Sequence, residues 1–308
     1  LNPETFLESE TQIMTIVERT LRGQREHWQE ITERVARIPS HELPPEAPKR
    51  ILLFGLGSSH FAARLTAFAL MRDRSRPRIP TVACSSLGIG NEVVPTKGDW
   101  AFAFSHRGTS QATLQAIEAC DRAGAFTFMV CGQGVQASER VRFTLPTTPL
   151  EEVEPHTASM TGAICAVTTL LIGAKAVEEW DALRSIGDPD LDVFCRRAGK
   201  GPEILLGEWE GEWLAREGAL KMMEMARLPV RAFGSEEFFH GPRFSAKEED
   251  AIWHVALAKD PRADQIRAQH RIAVIGSSPL AWVPALVELQ WLALAVATNL
   301  GVDPDLKS

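Results

Sequence analysis

Arg50-Ile-Leu-Leu-Phe-Gly55-Leu56-Gly57-Ser58-Ser59-His60-Phe61-Ala62-Ala63-Arg64-Leu65 decides the fold. Four consecutive apolar residues, Ile51, Leu52, Leu53 and Phe54, read as a strand buried on both faces, the pattern of a parallel sheet. Glycines end it, and a helix runs on to Met71. Strand, glycine loop and helix make the first part of a βαβ unit. The same order returns along the chain. Residues 81–84, 100–104, 126–131 and 142–145 read as strands, with a helix from Ser110 to about Ala123 and a long apolar helix over 160–176. A polar, Gly/Pro-punctuated stretch at 183–201 separates a second set: strand 203–206, helix 209–226, strand 251–256, helix 263–269, strand 272–275 and helix 281–299. Ahead of both, residues 5–37 have helical periodicity, and 41–48 form a proline-rich linker. The reading is an α/β chain with parallel, doubly wound sheets: a helical segment and linker over 1–44, one α/β domain over 45–180 and a second over 200–308. The halves share a layout without an evident residue-level repeat.

Composition narrows the function. The 308 residues suffice for about two domains. Lys+Arg total 33 against 40 Asp+Glu, a net charge of −7, which argues against a general nucleic-acid binder. An anionic ligand stays compatible, because loop amides and helix N-termini make a pocket locally positive. There is no tyrosine beside 14 Phe and 8 Trp, so chemistry that needs a phenol is excluded. The five Cys are odd in number and form no CxxC, so neither a disulfide framework nor a zinc site is expected. Cys84, Cys120, Cys131 and Cys165 read as core thiols, which fits a reducing, cytoplasmic compartment. No apolar run reaches the length of a membrane span, no signal peptide pattern opens the chain, and the absence of HxH or HExxH argues against a metal. No cofactor is expected.

Two loops follow strand ends in the first half, where open α/β sheets bind ligands. Gly57-Ser58-Ser59 opens one helix; Ser105-His106-Arg107-Gly108-Thr109-Ser110 opens another, with Thr113 one turn further. Glycine allows close backbone approach, hydroxyls donate, and helix N-termini offer free amides. Together they form a candidate anion cup, with Arg107 as a charged fork. Ser and Thr also serve simply as helix caps. His60, His106 and His156 fall beside the same region.

In the second half, Glu217-Gly-Ala-Leu-Lys221-Met-Met-Glu224 places three charges at i, i+4 and i+7 on one helix face. Lys221 can pair with either carboxylate, as in any solvated ion-pair face. His240-Gly241-Pro242 lies on a tight loop sixteen residues after Glu224. Histidine is the residue type suited to proton transfer near neutral pH, though a lone loop histidine is more often simply exposed. His254, on an apolar strand, reads as a core or sheet-edge residue.

These motifs resemble the sugar isomerase (SIS) domain family in its tandem form, over roughly residues 45–308. The resemblance implies two flavodoxin-like, three-layer αβα domains and a phosphorylated sugar or amino sugar held by its phosphate. It implies that Glu224 moves a proton between C1 and C2, with Lys221 beside it. It implies that His240 assists ring opening from the neighbouring subunit of a homodimer, and that Lys307 in the tail reaches the sugar. Isomerase, deaminase, fructosamine-phosphate deglycase and non-catalytic phosphosugar regulator remain alternatives. Glutamine-dependent amide transfer is not expected, since no N-terminal cysteine nucleophile is present. Arg107 replaces a small hydroxyl donor and either binds phosphate or blocks the cup. His156-Thr157-Ala158 lacks a lysine usual in the family, and His60 stands where relatives carry an aromatic hydroxyl.

Overall fold

The computed structural model describes residues 14–75, 77–187 and 189–305. The elements run α1 (Ile16–Ala36), β1 (Arg50–Gly55), α2 (Ser58–Arg72), β2 (Thr81–Ser85), β3 (Asp99–Phe104), α3 (Gln111–Arg122), β4 (Phe126–Cys131), β5 (Phe143–Pro146), α4 (Ala158–Ile172), α5 (Ala174–Arg184), α6 (Leu191–Ala198), β6 (Ile204–Gly207), α7 (Glu210–Ala226), β7 (Arg231–Gly234), α8 (Ser235–Phe239), β8 (Ile252–Leu257), β9 (His270–Val274) and α9 (Val283–Asn299). Two all-parallel sheets result, ordered β2-β1-β3-β4-β5 and β7-β6-β8-β9.

Alternating side chains divide each sheet between two packed layers. In the first, Leu53, Phe102, Phe104, Phe128 and Val130 join the main core with α2 and α4. Leu52, Phe54, Ala101, Ala103 and Met129 pack on the α3 side. The main core continues through Leu205, Val255 and Ile272 to α7 and α9, so one apolar body spans both sheets. Helices α4 and α9 are buried on almost every side, as expected of helices without a polar face. Helix α1 packs on α4, where Trp28 Nε1 donates to Thr161 Oγ1 at 3.0 Å.

Several local expectations change. The helix expected over 160–176 is two helices, because Gly173 adopts φ 75°, ψ −139°, ending α4 and starting α5; only glycine takes this conformation without strain. The helix expected over 263–269 is absent. Only the Ile266 amide bonds back to the fourth preceding carbonyl, and the Arg271 guanidinium donates to the carbonyls of Ala263 and Ile266. The short α8 and these loops, with Phe238 and Ile266 buried, cover that face of the second sheet. Strand β7 and helices α6 and α8 have no counterpart in the sequence pattern, and α6 falls inside the polar stretch at 183–201 that separates the two sets. Residues 5–13 of the expected first helix lie outside the described residues.

Candidate functional site

The order of the first sheet reverses between β1 and β3, and the two glycine-serine loops follow these strands. The fold therefore brings both to one crevice at the carboxyl ends. Gly55 lets the β1–α2 turn close, since a Cβ there would lie 2.7 Å from the Ser59 backbone. Gly57 sits at φ 55° as α2 begins. Ser58, Ser59, Ser105, His106, His156 and Ser159 line a cavity of about 30 Å³, room for one or two waters.

A buried carboxylate organises the rim. Glu151 accepts from the amides of Thr157 (3.0 Å) and Ser159 (2.6 Å), capping α4. Its own amide donates to His106 Nε2 at 3.0 Å, which fixes that nitrogen as an acceptor. Burial, then His156 and Arg107, depress the His106 imidazole to about 3. His156 meets His106 edge-on with ring centroids 4.9 Å apart. Burial depresses it too, and it feels the charges of Glu151 and Lys221. His106 Nδ1, His156 Nε2 and Thr157 Oγ1 are buried without hydrogen-bond partners. Unpartnered polar atoms are uncommon in a core; others lie elsewhere in this protein, at Trp282 and Trp291 for example, but these three border the cup.

Not every expected residue turns into the cup. Arg107 is exposed and pairs with Glu154 at 2.7 Å. Thr109 is exposed, and Gly108 takes φ 68°, with Val135 closing over it. Ser110 is the N-cap of α3, and Thr113 is buried against Ser86 Oγ at 2.9 Å. His60 turns toward α7, packs on Trp213 and accepts from Arg64 Nε at 3.2 Å. Burial, then Arg64 and Arg216, hold it down to about 4.

The charged face of α7 is internal, because this helix packs against β6, α2 and α9. Glu217 and Lys221 are fully buried; Glu224 is half-buried. Lys221 Nζ stands 2.5 Å from Glu224 Oε2 and 3.5 Å from Glu217 Oε1. Ser58 Oγ donates to the same Glu217 oxygen at 3.1 Å, joining the cup to α7. One ammonium cannot balance two carboxylates away from water. Burial and the neighbouring Glu224 push Glu217 up to about 7, against the pull of Lys221 and Ser58. Burial works against the charge on Lys221, but the two carboxylates outweigh it and raise its pKa.

His240 is not joined to this cluster within the chain. It is exposed, with Nε2 3.0 Å from Glu236 Oε1. The Arg262 guanidinium and His240 hold Glu236 down at about 2. Lys307 lies outside the described residues. The preceding Asp305 accepts from the amides of Ile16 (2.5 Å) and Val17 (2.9 Å), anchoring the tail on α1. His254 is a core residue, 2.7 Å from Asp260 Oδ2. Among the described residues no cluster of His, Cys, Asp and Glu could hold a metal, and no helix is long and apolar enough to cross a membrane.

No protein-family model matches the chain. Among curated proteins, the glutamine–fructose-6-phosphate aminotransferase (isomerizing) of Pyrobaculum aerophilum is 24% identical over 84% of this chain and 50% of its own. The chain thus spans about half the length of that relative. The C-terminal domain of glucosamine-fructose-6-phosphate aminotransferase from Francisella tularensis superposes with a TM-score of 0.78 at 17% identity, covering 96% of this chain and 99% of that one. Tagatose-6-phosphate ketose/aldose isomerase from Escherichia coli gives 0.73 at 17% identity, covering 94% of each. Glucosamine-6-phosphate deaminase from Thermotoga maritima gives 0.73 at 17%, covering 94% of this chain and 97% of that one.

The chain has the phosphosugar isomerase fold.

Within that fold, sequence reasoning left out Glu151, Ser159 and, from its set of candidate residues, Glu217. Glu217 was legible as a member of the i, i+4, i+7 face, but not as a buried one. Glu151 had no local signature: it caps a helix six residues ahead, beyond the reach of a capping-box pattern.

Proposed function

We propose that this chain binds a phosphorylated sugar or amino sugar by its phosphate and moves a proton between C1 and C2, with Glu224 as the base. The observation that carries this reading is the buried Lys221, held between Glu217 and Glu224, with Ser58 of the phosphate loop on Glu217. Burying such a cluster is costly, and a purely structural helix face has no need of it. Ser59, Ser105 and the α2 and α4 N-termini anchor the phosphate, and remote binding energy fixes the carbon chain against the base. Glu224 removes the proton from the carbon beside the carbonyl, leaving an enediol or enolamine, and returns it to the adjacent carbon. Lys221 pairs with Glu224 and steadies the developing oxyanion. No step calls for a metal or cofactor. His240 serves ring opening in the site of a second copy of this chain, which its exposure favours. Lys307 closes over the sugar.

The test follows solvent deuterium into C1 and C2 of fructose 6-phosphate and glucosamine 6-phosphate by NMR. Glu224→Gln should abolish exchange and leave binding intact; undiminished exchange overturns the assignment. Release of ammonia from the amino sugar separates deamination from isomerisation, and cleavage of a fructosamine phosphate identifies a deglycase.

One other reading is a phosphosugar-binding regulator without turnover. In either reading a cavity of about 30 Å³ must widen to admit a phosphate. Binding with no exchange in the wild-type protein supports that alternative.

A further inference from the structure

The second sheet reverses its strand order between β6 and β8, so it has a switch-point crevice of its own. A cavity of about 930 Å³ opens there, at the carboxyl ends of β8 and β9 and the start of α7, and it also reaches the end of α2. Its size suits a small organic ligand. The two halves correspond residue by residue at this point. Gly55 and Gly207 end the first strands, and a Cβ on either would strike the backbone four residues on. Gly57 (φ 55°, ψ −133°) matches Trp209 (φ 50°, ψ −119°) as the next helix begins.

The lining has surplus positive charge in an acidic protein. Arg72 pairs with Glu210, and Lys175 pairs with Asp73. Arg74 and Lys259 are exposed on the cavity wall, and no ion pair engages them among the described residues. A cleft whose lining carries net positive charge concentrates anions. The loop after β9 adds the hydroxyls of Ser277 and Ser278. Trp209 supplies a flat apolar surface, 43% exposed, from a backbone conformation that suits glycine. Strain of this kind persists where the surroundings hold it and gathers at ligand clamps.

We propose that this second crevice binds an organic phosphate, with the phosphate on Arg74 and Lys259 and the ring of the ester on the Trp209 indole. The site is separate from the cup and from the proposed base: Ser58 lies about 21 Å from Arg72 along α2, and Glu224 about 21 Å from Glu210 along α7, at 1.5 Å per residue. It does not depend on turnover at Glu224. Phosphosugars and nucleotides share the required chemistry.

Isothermal titration of the full chain at constant ionic strength with glucosamine 6-phosphate, uridine 5′-monophosphate and inorganic phosphate tests it. The double variant Arg74→Glu/Lys259→Glu should lose one saturable site for the esters, with at least a tenfold drop in affinity there. The control Arg196→Glu/Lys200→Glu, at the amino end of the second sheet, should not. Trp209→Gly should weaken the esters and leave inorganic phosphate unchanged, and the ester that loses more affinity identifies the source. Unchanged binding in the Arg74/Lys259 variant, or an equal loss in the control, overturns the site. Esters indifferent to Trp209→Gly overturn the stacking.

Discussion

Ser58 Oγ lies 3.1 Å from Glu217 Oε1, so a loop of the first sheet donates to a fully buried carboxylate of α7. This hydrogen bond favours the charged form of Glu217. Ser58→Ala removes it, and bonds to charged groups contribute about 1.5–3 kcal/mol. The loss should be larger at pH 8, where the carboxylate is ionised, than at pH 5, where it holds a proton. Urea unfolding at both pH values measures it. A loss independent of pH would show that the contact serves packing alone.

The pKa of Glu217 gives a pH dependence of definite sign. Burial raises it from the ordinary 4.5 to about 7 in the folded protein, so folding favours the protonated form. The stability this contributes is complete below pH 4.5 and is lost as the pH rises through about 7. Glu217→Gln carries no such loss. Its melting temperature should gain on the wild type between pH 4.5 and 7.5, by a free energy on the order of 3 kcal/mol. Parallel melting curves across that range contradict the buried assignment.

Lys221 stands between two carboxylates, which makes it the most exposed to a single deletion. Lys221→Met leaves Glu217 and Glu224 without their cation and should cost about 3–5 kcal/mol near neutral pH. Adding Glu217→Gln should recover part of the loss, because the remaining Glu224 reaches water. A double-mutant cycle should therefore show coupling well above the error of additivity. Strict additivity rejects the shared cluster.

His106 acts in the opposite direction. Burial, with His156 and Arg107, lowers its pKa to about 3, and its Nε2 accepts the Glu151 amide. A proton on that nitrogen breaks the bond. The stability of the neutral ring is complete above about pH 6.5 and is lost as the pH falls toward 3. His106→Gln, whose amide oxygen can accept the same bond, should flatten the acid limb of the stability curve between pH 6.5 and 4. Because Glu217 titrates in an overlapping window with opposite sign, the comparison is the difference between variant and wild type. An unchanged acid limb excludes His106 as its source.

Strands β1, β3 and β4 were legible as apolar runs bounded by glycine or polar residues, and the alternation of helices with the strands dictated parallel pairing. Strand β7 escaped notice because Arg231-Ala-Phe-Gly234 has one large apolar residue and no branched one; pairing with β6 makes it a strand. The absent helix over 263–269 had helical composition, but Arg271, several residues on, binds two of its carbonyls. At the site, residue types and spacing exposed the α7 face and the two loops. Direction was not legible. Ser110 and Thr113 point into the α3 cap, Arg107 to Glu154 and His60 to Trp213, each set by a partner distant in sequence or by the helix it begins.

Trp209 tests how far the two halves repeat one backbone design. Its φ of 50° matches the 55° of Gly57 in the equivalent turn, and a side chain there costs on the order of 1–3 kcal/mol. Trp209→Ala keeps the strain and loses the indole contacts. Trp209→Gly loses the same contacts, relieves the strain and adds about 1 kcal/mol of unfolded-state entropy cost. Glycine should thus be at least as stabilising as alanine at 209, the reverse of the usual order near a helix. At Gly207 the order should be ordinary for a crowded turn and far steeper, since a Cβ would lie 2.2 Å from the Gly211 carbonyl oxygen. Gly207→Ala should therefore displace the start of α7 and with it Glu217 and Lys221. Paired melting measurements of the alanine and glycine forms at 209 decide the matter: alanine the more stable by more than 1 kcal/mol would mean that Trp209 does not occupy the glycine-type turn.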